Sequence, residues 1–182
     1  MKRLAKHIGL LGHLGEFGFK RWLDSHASEV LAETGVKEGQ MVLDFGCGSG
    51  TYAIPAAKLV GKDGKVYALD ISSKALDRMD ERAKREGLKN IMRIDVIGEE
   101  RIPLKDRTID TVLLIDVLKD ITDRKSLFKE VYRVLRPSGN LTVFPMHMAV
   151  EEVEKLAAHT GFKINDRRFQ ENIIIFGKAS ES

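Results

Sequence analysis

The ten residues Met41–Gly50, Met-Val-Leu-Asp-Phe-Gly-Cys-Gly-Ser-Gly, constrain this chain more than any other stretch. An apolar run ends in an acid, Asp44, and breaks after Phe45 into glycines at positions 46, 48 and 50. That pattern predicts a buried strand stopping at a loop without side chains, where a ligand can rest on backbone N–H groups. About twenty residues beyond the turn, a second apolar run (Val66–Leu69) ends in Asp70, placed where a carboxylate would accept both hydroxyls of a ribose. The two segments together point to an adenosine-containing ligand at the carboxyl edge of a parallel sheet.

The order of the glycines narrows the ligand. A dinucleotide fingerprint reads G-x-G-x-x-G, its last glycine needed for tight helix–strand packing beside a pyrophosphate. Here Thr51 stands where that glycine belongs, and no Gly-Lys-Ser/Thr follows to make a Walker-type phosphate loop. The order from Asp44 to Gly50, D-x-G-x-G-x-G, resembles the first motif of class I S-adenosylmethionine (SAM)-dependent methyltransferases. The resemblance continues through Val66–Ile71, Ile109–Asp116 and Val134–Leu141 and covers nearly the whole chain. It is similar to the ubiquinone- and menaquinone-biosynthesis group in particular. It implies SAM as cofactor, S-adenosylhomocysteine (SAH) as product, and a sheet that closes with an antiparallel hairpin.

The elements read independently support that architecture. Phe19, Trp22, Leu23, Val30 and Leu31 recur at helical spacing before Gly35. Strands are predicted at Met41–Phe45, Val66–Asp70, Asn90–Val96, Ile109–Ile115 and Leu141–Phe144. Helices are predicted at Thr51–Leu59, where Pro55 is comfortable only in the first turn, at Lys74–Glu86, and from Asp123 to about Leu135. A turn at Pro137–Gly139 leads into the fifth strand, and Val150–His159 forms a last helix. Phe162–Phe169 and Asn172–Lys178 make the hairpin. Alternating strands and helices predict an α/β fold, a doubly wound, mostly parallel seven-stranded sheet. Residues 1–40 are expected to form a helical cap or lid, and 41–182 the SAM-binding domain.

Composition adds exclusions. At 182 residues, 43% hydrophobic and 31% charged, the chain suits one ordered domain with a sizeable core. A net charge of +3 without a long basic run leaves a nucleic-acid partner open but not favoured. The single cysteine, Cys47, rules out an internal disulfide and a multi-cysteine metal cluster. No apolar stretch approaches a membrane span, and Met1–Leu14 makes no convincing secretory signal, so a cytoplasmic setting is expected. Leu4, Ile8 and Leu11 form a stripe that could touch a membrane surface or a second subunit, leaving a dimer open.

The site residues follow. Asp44, Phe45, Gly46, Cys47, Gly48 and Gly50 are expected to bring backbone and one carboxylate to the methionine and ribose portions of the cofactor. Asp44 would orient the turn or meet the cofactor's ammonium, and Asp70 would hold the ribose. Ile71 would pack on the adenine with Val96 or Ile97 nearby. The family commonly has Gly-Asp-Ala after strand three. This chain has Asp95-Val-Ile-Gly-Glu99, so either Asp95 or Glu99 would reach the adenine amino group, with Asp95 preferred. An ungapped match instead puts Gly98 there. Candidate bases are Asp116, which could also hydrogen-bond the methionine end, and His147, with Lys119 and Asp120 nearby. Relatives carry Ser/Asn and a His-His pair where this chain has Asp116 and Lys119-Asp120. Phe17, Phe19 and Trp22 would line a lid or merely cover the sheet, and Lys20 or Arg21 could meet the cofactor carboxylate.

The acceptor is bounded mainly by exclusion. No Asn/Asp-Pro-Pro-Tyr/Phe motif of amine methylation follows strand four. No cysteine is free for cytosine C5 chemistry, and the several cysteines of arsenite methylation are missing. A small-molecule acceptor is the first expectation. An RNA- or protein-modifying enzyme and a catalytically inactive SAM-binding module are the alternatives.

Overall fold

The computed structural model describes residues 15–98 and 101–179. The stripe within Met1–Leu14 and the acid Glu99 lie outside the described residues. Two helices, α1 (Gly15–Ser25) and α2 (Ala27–Glu33), precede the sheet. The spacing of Phe19 through Leu31 predicts one helix, but the chain reorients at His26, whose φ of −116° and ψ of 24° leave the helical region. Ser25 Oγ and His26 Nδ1 both turn back to the Trp22 carbonyl, at 2.8 and 2.9 Å. Such local side-chain bonds compete with the backbone ladder and end α1 there.

The first half of the sheet and its crossovers are β1 (Met41–Phe45), α3 (Ala53–Val60), β2 (Lys65–Asp70), α4 (Ser73–Arg85) and β3 (Ile91–Asp95). Pro55 sits in the first turn of α3, where its missing N–H costs nothing. Ser72 caps α4, accepting from the Ala75 N–H. The second half contains β4 (Ile109–Ile115), a short 3₁₀ turn (Leu118–Asp120), α5 (Arg124–Val134), β5 (Leu135–Phe144), α6 (Val150–His159), β6 (Phe162–Arg168) and β7 (Ile173–Lys178). Asp123 caps α5 by accepting from the Ser126 N–H at 3.0 Å. The turn expected at Pro137–Gly139 is an irregularity inside β5. Pairing passes from Ile109↔Leu135 to Thr111↔Asn140, so the Pro-Ser-Gly stretch bulges out of the ladder while the strand continues.

The seven strands run in the order β3-β2-β1-β4-β5-β7-β6. The pairs within β3-β2-β1-β4-β5 are parallel, and β7 is antiparallel to both β5 and β6. This is the doubly wound mixed sheet the alternation predicts. One core cluster holds Leu23, Val30, Leu31, Ala56 and Met79 of α1–α4 against Leu113, Ile115 and Phe144. The other holds Leu127, Phe128, Val131, Val153 and Ala157 of α5 and α6 against Leu43, Val112 and Phe176. The winding direction reverses between β1 and β4, which opens a crevice at their carboxyl ends. The register Asp70↔Asp95 and Ile115↔Phe144 brings the ends of β2, β3, β4 and β5 to one edge. No helix among the described residues is long and apolar enough to cross a membrane.

Candidate cofactor site

The crevice holds a cleft of about 270 Å³ lined by Phe45, Gly46, Leu69, Asp70, Ile71, Val96, Gly98, Asp116, Val117, Asp120 and Ile121. Its wall is the turn after β1. The N–H groups of Gly46 and Cys47 both donate to the Leu69 carbonyl, at 2.8 and 3.1 Å, lashing the turn to the end of β2. Gly46 has φ +74°, and a Cβ there would lie 2.5 Å from Val117 Cγ2. Gly50 has φ +83°, and its Cβ would lie 2.6 Å from Met79 Cγ on α4. Both positions therefore need glycine for conformation and for space. From α4, Arg82 donates to the Ser49 carbonyl at 2.8 Å and supports the turn from outside.

Asp70 lines the cleft half-buried, its two oxygens occupied by backbone. Oδ2 accepts from the Gly48 N–H at 2.7 Å and Oδ1 from the Ser72 N–H at 2.8 Å. Ile71 beside it is 70% exposed at the cleft's rim, an uncovered apolar side chain at the edge of a mainly apolar cavity. Asp44 behaves differently. It is 3% exposed, and its Oδ2 has no hydrogen-bond partner among the described residues. Burial pushes its carboxyl up to about 7, the nearby Asp70 charge adds to the rise, and a hydrogen bond from the Ala53 backbone opposes it. An unpartnered oxygen in such a place is costly unless a cation or donor arrives.

Not every expected residue faces the cleft. Asp95 points to the outer surface of β3. Arg93 grips both of its oxygens at 2.6 and 2.8 Å and Ser73 donates to it at 2.9 Å, a set that holds its carboxyl down at about 2. Gly98 lines the cleft on that side instead, with Val96. Cys47 turns its side chain into the core, and burial drives its thiol far above the usual range. That leaves it a packing residue with no thiolate to offer.

The opposite wall of the cleft is the segment after β4, with the end of β5 paired beside it. Asp116 lines the cleft in a left-handed conformation (φ 57°) and donates its N–H to the Phe144 carbonyl at 3.1 Å. Lys119 Nζ reaches its Oδ1 at 2.7 Å and its carbonyl at 2.8 Å. Burial works against the Lys119 charge, but Asp116 and Asp120 outweigh it and hold its pKa raised. His147 is exposed, left-handed at φ 62°, and does not line the cleft; its ring lies 5.4 Å from Phe17 on α1. Asp116 and His147 both occupy the left-handed region, which Asp and His enter more readily than most residues. Phe19 and Trp22 mainly cover the sheet: Phe19 meets Phe144 at 5.5 Å and Trp22 meets Phe169 at 5.8 Å.

Several site residues have only weak signals in the sequence. Val117 and Ile121 read as ordinary apolar positions, and Arg82 as one more basic residue on a helix. Arg82 stands one turn after Met79, the residue under Gly50, and that spacing was its only mark.

This strand order, with a glycine turn after β1 and acids at the ends of β1 and β2, is the fold of the class I SAM-dependent methyltransferases. Within that class the chain belongs to the methyltransferase domain family, which matches residues 36–170. It is 28% identical over 162 residues to a demethylmenaquinone methyltransferase of Lactobacillus johnsonii, covering 89% of this chain and 65% of the relative. It is 33% identical over 140 residues to the ubiquinone/menaquinone biosynthesis C-methyltransferase UbiE of Haemophilus ducreyi, covering 77% and 53%. The chain thus spans between half and two thirds of these relatives' length. A SAM-dependent methyltransferase from Aquifex aeolicus superposes with a TM-score of 0.74 at 25% identity, over 85% of this chain and 89% of that one.

Proposed function

We propose that this chain transfers the methyl group of SAM to a small-molecule acceptor and releases SAH. One observation carries the reading: two carboxylates of opposite condition flank a single glycine turn, the buried Asp44 with an unpartnered oxygen and the cleft-lining Asp70. Asp44 Oδ2 suits the ammonium of an amino acid. Asp70 suits paired ribose hydroxyls, each bond charge-assisted. Ile71 and Val96 would close on the adenine, and Gly46 and Gly48 would let the backbone approach. Asp95, engaged by Arg93 and Ser73, stays outside this set.

When bound, SAM supplies a methyl group on a positively charged sulfur. The chain's own work is to hold donor and acceptor in line and keep water out, worth several kcal/mol of barrier. Phe45, Val117 and Ile121 supply an apolar lining for that purpose. Asp116, clamped by Lys119, faces the same cleft and would orient the acceptor or accept its proton at a carboxylate oxygen. His147 is the second candidate, taking a proton at an imidazole nitrogen from an acceptor that must lose one.

The name of the Lactobacillus relative puts demethylmenaquinone first among acceptors to screen. The decisive experiment is calorimetric titration with SAM, SAH and NADH, alongside an Asp70→Ala variant, followed by transfer of a labelled methyl group to an acceptor panel. Binding of the two sulfur nucleosides, lost in the variant and absent for NADH, supports the reading. Silence toward both reduces it to a statement about fold. Binding without turnover on any acceptor favours an inactive SAM-binding module.

A further inference from the structure

The two ends of the cleft are built from different chemistry. Its charged lining, among the described residues, is Asp70, Asp116 and Asp120. In the reading above Asp70 serves the ribose, and the other two stand on the opposite wall, after β4. What remains beside Asp70, where the base would lie, is Leu69, Ile71, Val96 and Gly98: three apolar side chains and a stretch of bare backbone. The Val96 N–H donates to the Asp70 carbonyl at 3.3 Å, which carries the β2–β3 pairing past the strand end and holds Val96 next to the Asp70–Ile71 corner.

The acid that closes β3 is committed elsewhere. Arg93 binds both oxygens of Asp95, and Arg93 is itself fixed by Asp77 and Asp80 of α4, at 2.6 and 3.0 Å. Turning Asp95 toward the cleft would forfeit two charge-assisted bonds and the Ser73 contact. Gly98 forms the wall instead. Its backbone lies outside the left-handed region, and a Cβ built there meets nothing within 4 Å, so the slot opens onto free space at this point. Isoleucines flank the opening: Ile71 is exposed at the rim, and Ile97, between the lining residues Val96 and Gly98, is fully exposed. Uncovered apolar side chains beside a cleft suit an apolar group on the ligand.

We propose that the base subsite holds its purine by packing rather than by reading the 6-amino group, and so admits adenosine-type ligands that lack that group or carry an apolar substituent on it. This rests on the SAM reading given above and names the ligand class that its base end takes. A substituent at the 6-position passes Gly98, where no side chain stands, and lies along Ile71 and Ile97. A carboxylate accepting from the amine would make deletion of that amine cost about tenfold to a hundredfold in affinity. A slot that only packs loses little.

Calorimetry with three ligands that share one ribose and one amino acid tests this: SAH, its purine analogue with hydrogen in place of the amino group, and N6-benzyl-SAH. The purine analogue leaves the ring nitrogens as acceptors and removes the amine alone. The wild type binds SAH and the purine analogue within about threefold of each other, and N6-benzyl-SAH at least as tightly as SAH. Ile97→Ser weakens N6-benzyl-SAH more than it weakens SAH. Gly98→Asp, its fold checked by a thermal melt, sets a carboxylate at the slot and gives SAH a preference of about tenfold over the purine analogue, which the wild type lacks. A wild-type preference for SAH of about tenfold or more, rejection of N6-benzyl-SAH, or a folded Gly98→Asp protein that gains no preference overturns the proposal. Failure of the wild type to bind any of the three removes the cofactor reading itself, whereas binding of SAH alone removes only the inference about its base end.

Discussion

Replacing Asp44 by Asn separates what this residue costs the fold from what it gives the site. Its carboxyl is raised from an ordinary 3.8 to about 7, chiefly by burial. A carboxyl raised in the folded state stabilises fully below its unfolded pKa, and that stabilisation is lost as pH rises to about 7. Between pH 4 and pH 8 the wild type therefore loses on the order of 4 kcal/mol through this one group, at about 1.4 kcal/mol per pKa unit. Asn cannot ionise, so the variant lacks this slope. It keeps an oxygen for the Ala53 N–H but puts an amide where the unpartnered Oδ2 lies, at about 1–3 kcal/mol at every pH. The two stability curves should cross: Asp44→Asn is the weaker protein at pH 4 and the stronger one at pH 8. Urea unfolding at four pH values measures this, and the pH-independent amide cost cancels from the difference. SAH affinity should fall in the variant even where its stability exceeds that of the wild type. Parallel stability curves for the two proteins would refute the reasoning, because they would mean that Asp44 is ionised in the fold without penalty.

Three further outcomes are expected. Asp70→Ala weakens SAH binding by about a hundredfold or more, the loss of two charge-assisted bonds, whereas Asp95→Ala leaves it unchanged; calorimetry on both variants tests the division of roles. Gly46→Ala destabilises by at least about 2 kcal/mol through its left-handed φ and the Val117 contact. Adding Val117→Ala should recover only the steric part, which a double-mutant cycle in denaturant measures. Asp116→Asn preserves the melting temperature, since Asn tolerates the left-handed region, while methyl transfer falls by about a hundredfold if Asp116 is the base. A rate unchanged by Asp116→Asn would move that role to His147.

The parts legible from sequence are those set by local periodicity and turn chemistry. β1, its glycine turn and Asp70 follow from an apolar run meeting residues that only a tight turn accommodates. Val150–His159 appears at the predicted boundaries because apolar spacing and Gly161 agree. The break at His26 was hidden because it depends on two side chains folding back onto one carbonyl. The bulge in β5 was hidden because Pro137-Ser138-Gly139 reads equally as a turn between elements or a detour within one. Asp95 faces Arg93 by the two-residue period of a strand, a relation present in the sequence but outweighed by the family pattern. The bond from Tyr52 to Asp24 spans 28 positions and joins α1 to the N-cap residue of α3, a placement no local pattern encodes.

The strand order also bears on how the chain is made. β5 stands in the interior of the sheet, yet its second neighbour is β7, the last strand in sequence among the described elements. During synthesis from the amino end, the edge of β5 waits unpaired while α6 and β6 emerge, and Leu141–Phe144 along it are all buried in the finished fold. An apolar edge of that kind is a template for other strands. The nascent protein is thus most open to aggregation after the whole cofactor cleft has been synthesised, and the late arrival of Ile173–Lys178 closes that interval. Substitutions that weaken β7 should accordingly show first as poor yield in the cell, before any change in how the finished protein handles its cofactor.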